Sequence, residues 1–501
     1  MLRHSPRPSR RHHATRFALA LVSAICAFVP GSWAASEIDV PYIGEPADRT
    51  LSPMQETQLG NEVMRQLLSG GYVLEDLELA SYMQSLGKAL LRHTNEQEID
   101  FHFFVVKDAG INAFALPGGF IGMNAGLIMA SESESELAGV MSHEIAHVTQ
   151  RHIARSMDRS SGWDIATTAL LLAALVAGAR DPEAAQAALT LGMSAAIQQQ
   201  INFTRANELE ADRLGIRTLS AAGFDATGMA SFFHRLSQKS QLYGEGVLEL
   251  LRTHPMSSNR MAEAAARAAS MPAGQANLNS EYALMKTRAR VLMTELDGDA
   301  LAWFTALTKN GNRSAADRYG LALSLARNRA FDDAAKLLQA LIDEDPEQRH
   351  YRMAYADLLI QRGQAQAAVK LLQEARKQHA DYRPLILKLA SALIRSGTPA
   401  EARQLLLESP LPGIHDAETH RLLAMAARDM NEQAEAYYQF AGYERSRGDF
   451  VAAIRQLDNG LQLDALKPHD RQRLQGRLEQ YLAEAPESER RRARSEAQQR
   501  R

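Results

Sequence analysis

Cysteine is nearly absent from this chain: its 501 residues hold one, Cys26. Charge of one sign is scarce too. The 56 Lys and Arg against 59 Asp and Glu leave a formal charge of −3, which supplies no overall basic field for nucleic acid. Long apolar runs are also missing. The two longest, Phe17 to Val29 and residues 165–178, fall short of the ~20 apolar residues that cross a bilayer. What remains is an ordinary globular composition, 46% hydrophobic and 23% charged, on a chain long enough for two or three domains.

The first 34 residues read as a secretory signal peptide. Arg3, Arg7, Arg10, Arg11 and Arg16 precede the apolar run, and the small-x-small triplet Ser32-Trp33-Ala34 follows it, with cleavage expected after Ala34. The Arg10-Arg11 pair raises twin-arginine export, although the usual apolar residues do not follow it. Ile25 before Cys26 argues against a lipidation site, which needs a small residue there. Losing five arginines and no acids takes the formal charge from −3 to −8. Cys26 leaves as well, so the exported chain has no thiol to pair or oxidise.

Residues 35–60 read as an extended lead-in, 61–275 as a mixed domain, 283–485 as an all-helical one and 486–501 as a basic, disordered tail. Within the mixed region, Asp100 to Lys107 and Asn112 to Leu116 read as strands. Pro117-Gly118-Gly119 then turns the chain into a third extended stretch, Phe120 to Met123. Glu132 to Arg155 is expected as one long core helix, since Leu137, Val140, Met141, Ile145 and Val148 recur at helical spacing. Residues 165–178 allow two readings, a buried or dimer-contact helix and a helix resting on a membrane surface.

The C-terminal half keeps a ruler. Ala300, Ala334, Ala368, Ala402 and Ala436 stand 34 residues apart, and Ala322, Ala356, Ala390 and Ala424 precede four of them by 12. A 34-residue unit with small residues at fixed places in two helices is the tetratricopeptide (TPR) signature. Gly363 and Gly397 fall at inter-helix turns, and Gly448-Asp449-Phe450 starts a B-like helix half a period early. The arginine-rich tail, with Arg490, Arg491 and Arg492, reads either as a solvated end or as a binder of acidic surfaces.

The chemistry sits in Met141-Ser142-His143-Glu144-Ile145-Ala146-His147. Residues four apart share a helix face, so His143 and His147 can turn a ring nitrogen to one ion. Glu144 lies about 100° around the helix and can take a proton from a metal-activated water. This HExxH pattern points to a zinc peptidase with Glu144 as general base. Catalytic zinc needs a third protein ligand. His152 is a candidate, but five residues beyond His147 its ring is rotated off the ligand face. The better candidate is Glu208 in Asn207-Glu208-Leu209-Glu210-Ala211-Asp212, on a helix expected to end near Gly223, with Asp212 one turn on to accept a ligand's other ring N–H. His254, in Thr253-His254-Pro255, reads either as a solvated loop histidine or as a conditional fourth ligand that keeps the enzyme quiet.

HExxH followed by NELEADRLG and preceded by NAFALPGGFI resembles the CaaX-prenyl-protease and HtpX-like group of zinc peptidases. With a signal segment and a TPR region, the chain looks like its β-barrel assembly-enhancing branch in the Gram-negative periplasm. The resemblance implies an α+β zincin-type metallopeptidase domain followed by an all-α TPR solenoid. It implies one Zn2+ per subunit held by His143, His147 and Glu208, with Glu144 and Asp212 as catalytic residues. The implied partners are unfolded or misassembled outer-membrane proteins and, through the TPR region, the barrel-insertion machinery. Contact with a membrane would be peripheral, because the group's spanning helices are absent. Asn112 to Phe120 is a candidate edge strand for a substrate peptide, with Asn124 or a nearby backbone group polarising the scissile carbonyl. The alternative is a TPR scaffold with little or no proteolysis. A chain cut near residue 275 is expected to keep the chemistry and lose its partners.

Overall fold

The computed structural model describes Met1, residues 51–94, 96, 98–156, Thr168, Ala169, Leu172, Ala173, and residues 205–243, 249–309, 314–409 and 417–499. The expected signal peptide and most of the apolar stretch 165–178 lie outside the described residues. Ala169, Leu172 and Ala173 of that stretch are buried beside Val63, Phe104 and Phe120, in agreement with its buried reading.

Helix α1 (Pro53–Ser69) opens on a capping box, so residues 53–60 of the expected extended lead-in are helical. Ser52 Oγ accepts from Gln55 N–H, and Gln55 Oε1 accepts from Ser52 N–H. Asp76 caps α2 (Leu77–Leu91) with its side chain alone, accepting from Leu79 N–H. Three strands follow: β1 (His102–Val106), β2 (Ala113–Leu116) and β3 (Phe120–Asn124). Their order is β1-β3-β2, with β1 parallel and β2 antiparallel to β3, so β2 is an edge strand. The Pro-Gly-Gly turn is a single 3-10 turn with Gly118 at φ 77° and Gly119 at φ 89°, where other residues would be strained.

Helices α3 (Ala125–Ala130) and α4 (Glu134–Thr149) come next, and α4 is capped by Ser133 and buried on every side. The single helix expected over Glu132 to Arg155 is two. Arg151 adopts φ 50°, and a short α5 (His152–Ser156) starts in a new direction. Helix α6 (Arg205–Ala221) packs on α4, and the chain leaves it through Gly223 at φ 87°. Gly215 makes the approach of α6 to α4 possible, since a Cβ there would stand 3.1 Å from His143 N and 2.7 Å from Met229 Cε. Helices α7 (Thr227–Tyr243), α8 (Glu249–Thr253) and α9 (Ser258–Ala269) complete the domain.

From α10 (Glu281–Met293) and α11 (Asp297–Lys309) the chain is helical. Helices α12 (Ala315–Arg327), α14 (Arg349–Gln361), α16 (Arg383–Arg395) and α18 (Ala417–Asp429) begin 34 residues apart. So do their partners α13 (Phe331–Glu344), α15 (Ala365–Gln378), α17 (Pro399–Glu408) and α19 (Gln433–Ser446). The ruler alanines face the helix contacts: Ala322, Ala334, Ala356, Ala368, Ala390, Ala402 and Ala424 are all inaccessible to solvent. The A-to-B turns share the period, with Arg329, Gly363, Gly397 and Asn431 all at positive φ. Gly448 repeats that turn half a period early and starts α20 (Phe450–Leu461), so α19 packs on both α18 and α20. Helices α21 (Pro468–Glu484) and α22 (Glu487–Gln499) end the described chain. The expected disordered tail is therefore helix over Glu487–Gln499. Ala493 is buried against the α20 cluster, and Glu489 pairs with Arg65 of α1 at 2.7 Å. Among the described residues no helix is long and apolar enough to cross a membrane.

Candidate metal centre

Helix α4 carries His143 and His147 one turn apart on the face that meets α6, and α6 answers with Glu208 and, one turn on, Asp212. His254 arrives from the turn between α8 and α9. One donor atom from each of His143, His147, Glu208 and His254 lies within 4.8 Å of every other, and all four residues are buried. His143 Nε2 is 3.0 Å from His147 Nε2 and 3.3 Å from His254 Nδ1. Glu208 closes the figure, with Oε1 3.4 Å from His147 Nε2 and 2.9 Å from His254 Nδ1, and Oε2 3.6 Å from His143 Nε2. A tetrahedron of ligands at about 2.0–2.1 Å from its centre has edges of about 3.3–3.4 Å, so this donor set fits a small divalent cation.

Four groups orient the donors from behind. His143 Nδ1 stands 3.0 Å from Asp212 Oδ1, the place expected of a carboxylate that fixes a ligand's tautomer. Arg260 of α9 holds both Asp212 oxygens at 2.8 Å, reaches Glu208 Oε2 at 2.6 Å and donates to Pro255 O at 2.8 Å. It thereby ties the two acids to the loop that carries His254. His152 is not among the converging donors; its Nδ1 is 2.8 Å from His147 Nδ1, and its Nε2 is 3.1 Å from Glu210 Oε2. Arg260 carries no motif, Glu210 lies within NELEADRLG but meets His152 only through the break at Arg151, and the role of Arg260 depends on chain distant in sequence. No spacing could have announced them.

Glu144 is wholly buried; no side chain donates a hydrogen bond to it among the described residues, and the backbone N–H of Ala115 on β2 is directed at it. Burial holds its carboxyl above the usual range, which suits a group that must take up a proton. His254 Nε2 lies 3.5 Å from Glu144 Oε1. Burial, followed by the neighbouring His143, keeps the His147 imidazole neutral to well below its ordinary value, the form that ligates. Burial works against the charge on Asp212, but hydrogen bonds from His143 and Arg260 bring it down to about 2. Burial disfavours a charged His254, yet Glu208 and Glu144 outweigh that and push it up to about 9. The two carboxylates thus demand positive charge between them, which a protonated His254 or a cation among the donors can supply.

Edge strand β2 packs against α4, but the edge is shorter than the expected Asn112 to Phe120, because Pro117–Gly119 turns and Phe120 begins the central strand. Asn124 ends the central strand instead. It directs its amide to Asp108 Oδ1 at 3.4 Å and is not one of the converging residues.

Residues 77–268 match peptidase family M48, and residues 359–426 match a tetratricopeptide repeat. The chain is 39% identical over 348 residues to the putative beta-barrel assembly-enhancing protease of Vibrio cholerae, covering 69% of this chain and 71% of that one. It is 32% identical over 441 residues to the beta-barrel assembly-enhancing protease of Escherichia coli K12, covering 87% and 88%. The metalloprotease LoiP of the same organism is 27% identical over 213 residues, 42% of this chain and 79% of LoiP.

Proposed function

Because the chain belongs to the beta-barrel assembly-enhancing proteases of peptidase family M48, we propose that it is a zinc-dependent endopeptidase of the periplasm that promotes outer-membrane β-barrel assembly and degrades misassembled barrels. The observation that carries this reading is the convergence of four buried donors beside the buried carboxylate of Glu144. His143, His147 and Glu208 would hold one zinc ion per chain. When bound, zinc supplies Lewis acidity that polarises a carbonyl and makes water acidic near neutral pH.

The protein's own residues do the rest. Asp212 and Arg260 fix the ring of His143 and the carboxylate of Glu208. Glu144, raised in pKa by its burial, takes the proton from the attacking water at a carboxylate oxygen and can return it to the leaving amine. A substrate strand adding to the edge of β2 would lie alongside α4, with backbone hydrogen bonds supplying affinity and little sequence preference. His254 would fill the fourth corner and restrain the enzyme until substrate displaces that ring. Export rests on the arginine-led apolar segment ending at Ala34. The TPR surface would recruit unfolded barrel proteins and the machinery that inserts them.

The test uses the full chain, its zinc content and its cleavage of an unfolded barrel protein. Glu144→Gln should keep the metal and lose ~10²–10⁴ in rate. Glu208→Ala should lose the metal. His254→Ala should keep it and cleave faster. Near-normal cleavage by Glu144→Gln would overturn the mechanism, and full zinc in Glu208→Ala would overturn the ligand set.

A further inference from the structure

We propose that His152 is a positioning residue for the metal centre. It holds the His147 ring in the Nδ1–H tautomer, and Glu210 fixes the tautomer of His152 in turn. The inference rests on the reading of His147 as a ligand.

An unbroken helix would rotate the residue five beyond His147 by about 140° away from it. The chain avoids this with a break. Arg151 takes φ 50°, uncommon for a residue with a Cβ, and its guanidinium anchors that turn to Leu51 O at 2.7 Å and to Glu56 Oε1 at 3.0 and 3.1 Å. The turn carries the next ring back beneath α4. His152 is inaccessible to solvent there, with its Nδ1 2.8 Å from His147 Nδ1.

Two facing ring nitrogens at that distance need one hydrogen between them, and the surroundings decide which ring carries it. The Nε2 of His147 faces His143 and Glu208, at 3.0 and 3.4 Å, so its lone pair is required there and its proton belongs on Nδ1. His152 Nδ1 must then accept, which places the His152 proton on Nε2. That atom faces Glu210 Oε2 at 3.1 Å, and the same oxygen accepts from Arg155 Nη2 at 3.1 Å. Each donor and acceptor from Glu210 inward has one consistent assignment. His143 is served by Asp212 directly, whereas His147 is served through a neutral ring. The two ligands therefore receive different outer partners from opposite sides of the site.

The test compares full-length wild type with His152→Phe and Glu210→Leu in zinc competition against a chelator. His152→Phe keeps an aromatic ring but removes the acceptor. It should weaken zinc ~10–100-fold, the usual effect of losing a ligand's outer partner, while the melting temperature of the metal-free protein stays near wild type. Glu210→Leu, which frees the tautomer but leaves the ring, should fall between. In zinc-loaded wild type labelled with 15N-histidine, long-range proton–nitrogen correlations should show His147 as Nδ1–H and His152 as Nε2–H. That measurement decides the matter even if His152→Phe fails to fold. Wild type that binds zinc while His152→Phe binds it equally well, or a His152 found as Nδ1–H, would overturn the proposal alone. Wild type that binds no zinc would overturn the ligand reading and this inference with it.

Discussion

The helix pairs next to the protease region and those farther along share one 34-residue ruler, yet they are held by different things. Tyr282, Leu284 and Met285 of α10, Tyr319 and Ala322 of α12, and Tyr351 and Ala354 of α14 belong to the same apolar cluster as Leu79, Leu137 and Met141 around the site helix. The next pairs have their own core of Met353, Leu372, Leu389 and Leu422, and the last helices a third around Ile454 and Leu474. Helix α14 is divided between the first two, one face to each. A repeat period specifies how successive helices pack on one another. It does not specify what the array leans on.

The near junction is also polar. Glu78 of α2 accepts a hydrogen bond from the His350 ring at 2.6 Å and pairs with Arg288 at 3.2 Å, and His350 reaches Glu281 at 3.5 Å. One turn along α2, Tyr82 donates to Glu134 at the start of the site helix, at 2.8 Å. Glu134 also accepts from the backbone N–H groups of Leu278 and Asn279 at 2.7 Å. Repeat, linker and site helix are thus stitched together.

The largest expected effect breaks the chain at this junction. Ending it near residue 275 removes Tyr282, Leu284 and Met285 from the core and leaves Glu134 without its linker donors. Each large buried side chain contributes about 1.5–3 kcal/mol, against a total stability of about 5–15 kcal/mol. The shortened protein should lose cooperative unfolding and stoichiometric metal, contrary to the expectation from sequence. A chain ending after Glu408, which keeps Tyr382 and Lys388 of this junction, should retain both and fail only to support barrel assembly in cells. Cooperative unfolding and peptidase activity of the shorter product would erase the distinction drawn between near and far repeats.

A smaller effect isolates the polar junction. Burial opposes the charge on Glu78, but Arg288, His350 and Lys388 reverse that and hold it well below the usual carboxylate range. Burial also opposes a charged His350, and Glu281 and Glu78 raise it above its ordinary value nonetheless, with Arg349 and Tyr382 closing the far side. Removing one member should cost about 3–5 kcal/mol. A raised histidine contributes stability that is fully present below about pH 6.5 and is lost as pH rises through the folded value. Denaturant unfolding of wild type minus His350→Gln should therefore give a difference that shrinks from pH 6 to pH 9. A difference independent of pH would mean that the ring is neutral in the folded protein.

The smallest effect belongs to the far repeats. Gly397 turns at φ 86°, so Gly397→Ala should cost about 1–2 kcal/mol and leave cleavage of an unfolded peptide unchanged. Reduced peptidase activity at constant metal content would show that the far repeats also act on the site.

Legibility followed the range of the interaction. The strands, the Pro-Gly-Gly turn and the alanine ruler were readable because their causes lie within a few residues or recur at a fixed interval. His143, His147, Glu208 and Asp212 were readable as candidates because helical spacing places each pair on one face. The break at Arg151 was not, since its support comes from Glu56 and Leu51 on another segment. The tail at Glu487–Gln499 was misread as disordered because its helix is supported by α1 and α20, which its own composition does not announce.

By itself, then, the sequence determined a HExxH helix, an acidic partner helix and a 34-residue solenoid, because each is a matter of local periodicity. Only the tertiary structure decided that Arg260 binds both acids, that His152 stands behind a candidate ligand, and that the first repeats share the core of the site helix. Those are contacts between side chains tens to hundreds of residues apart. Their formation depends on which buried charges and apolar faces remain uncovered once the local elements have formed, and no single stretch of chain records that.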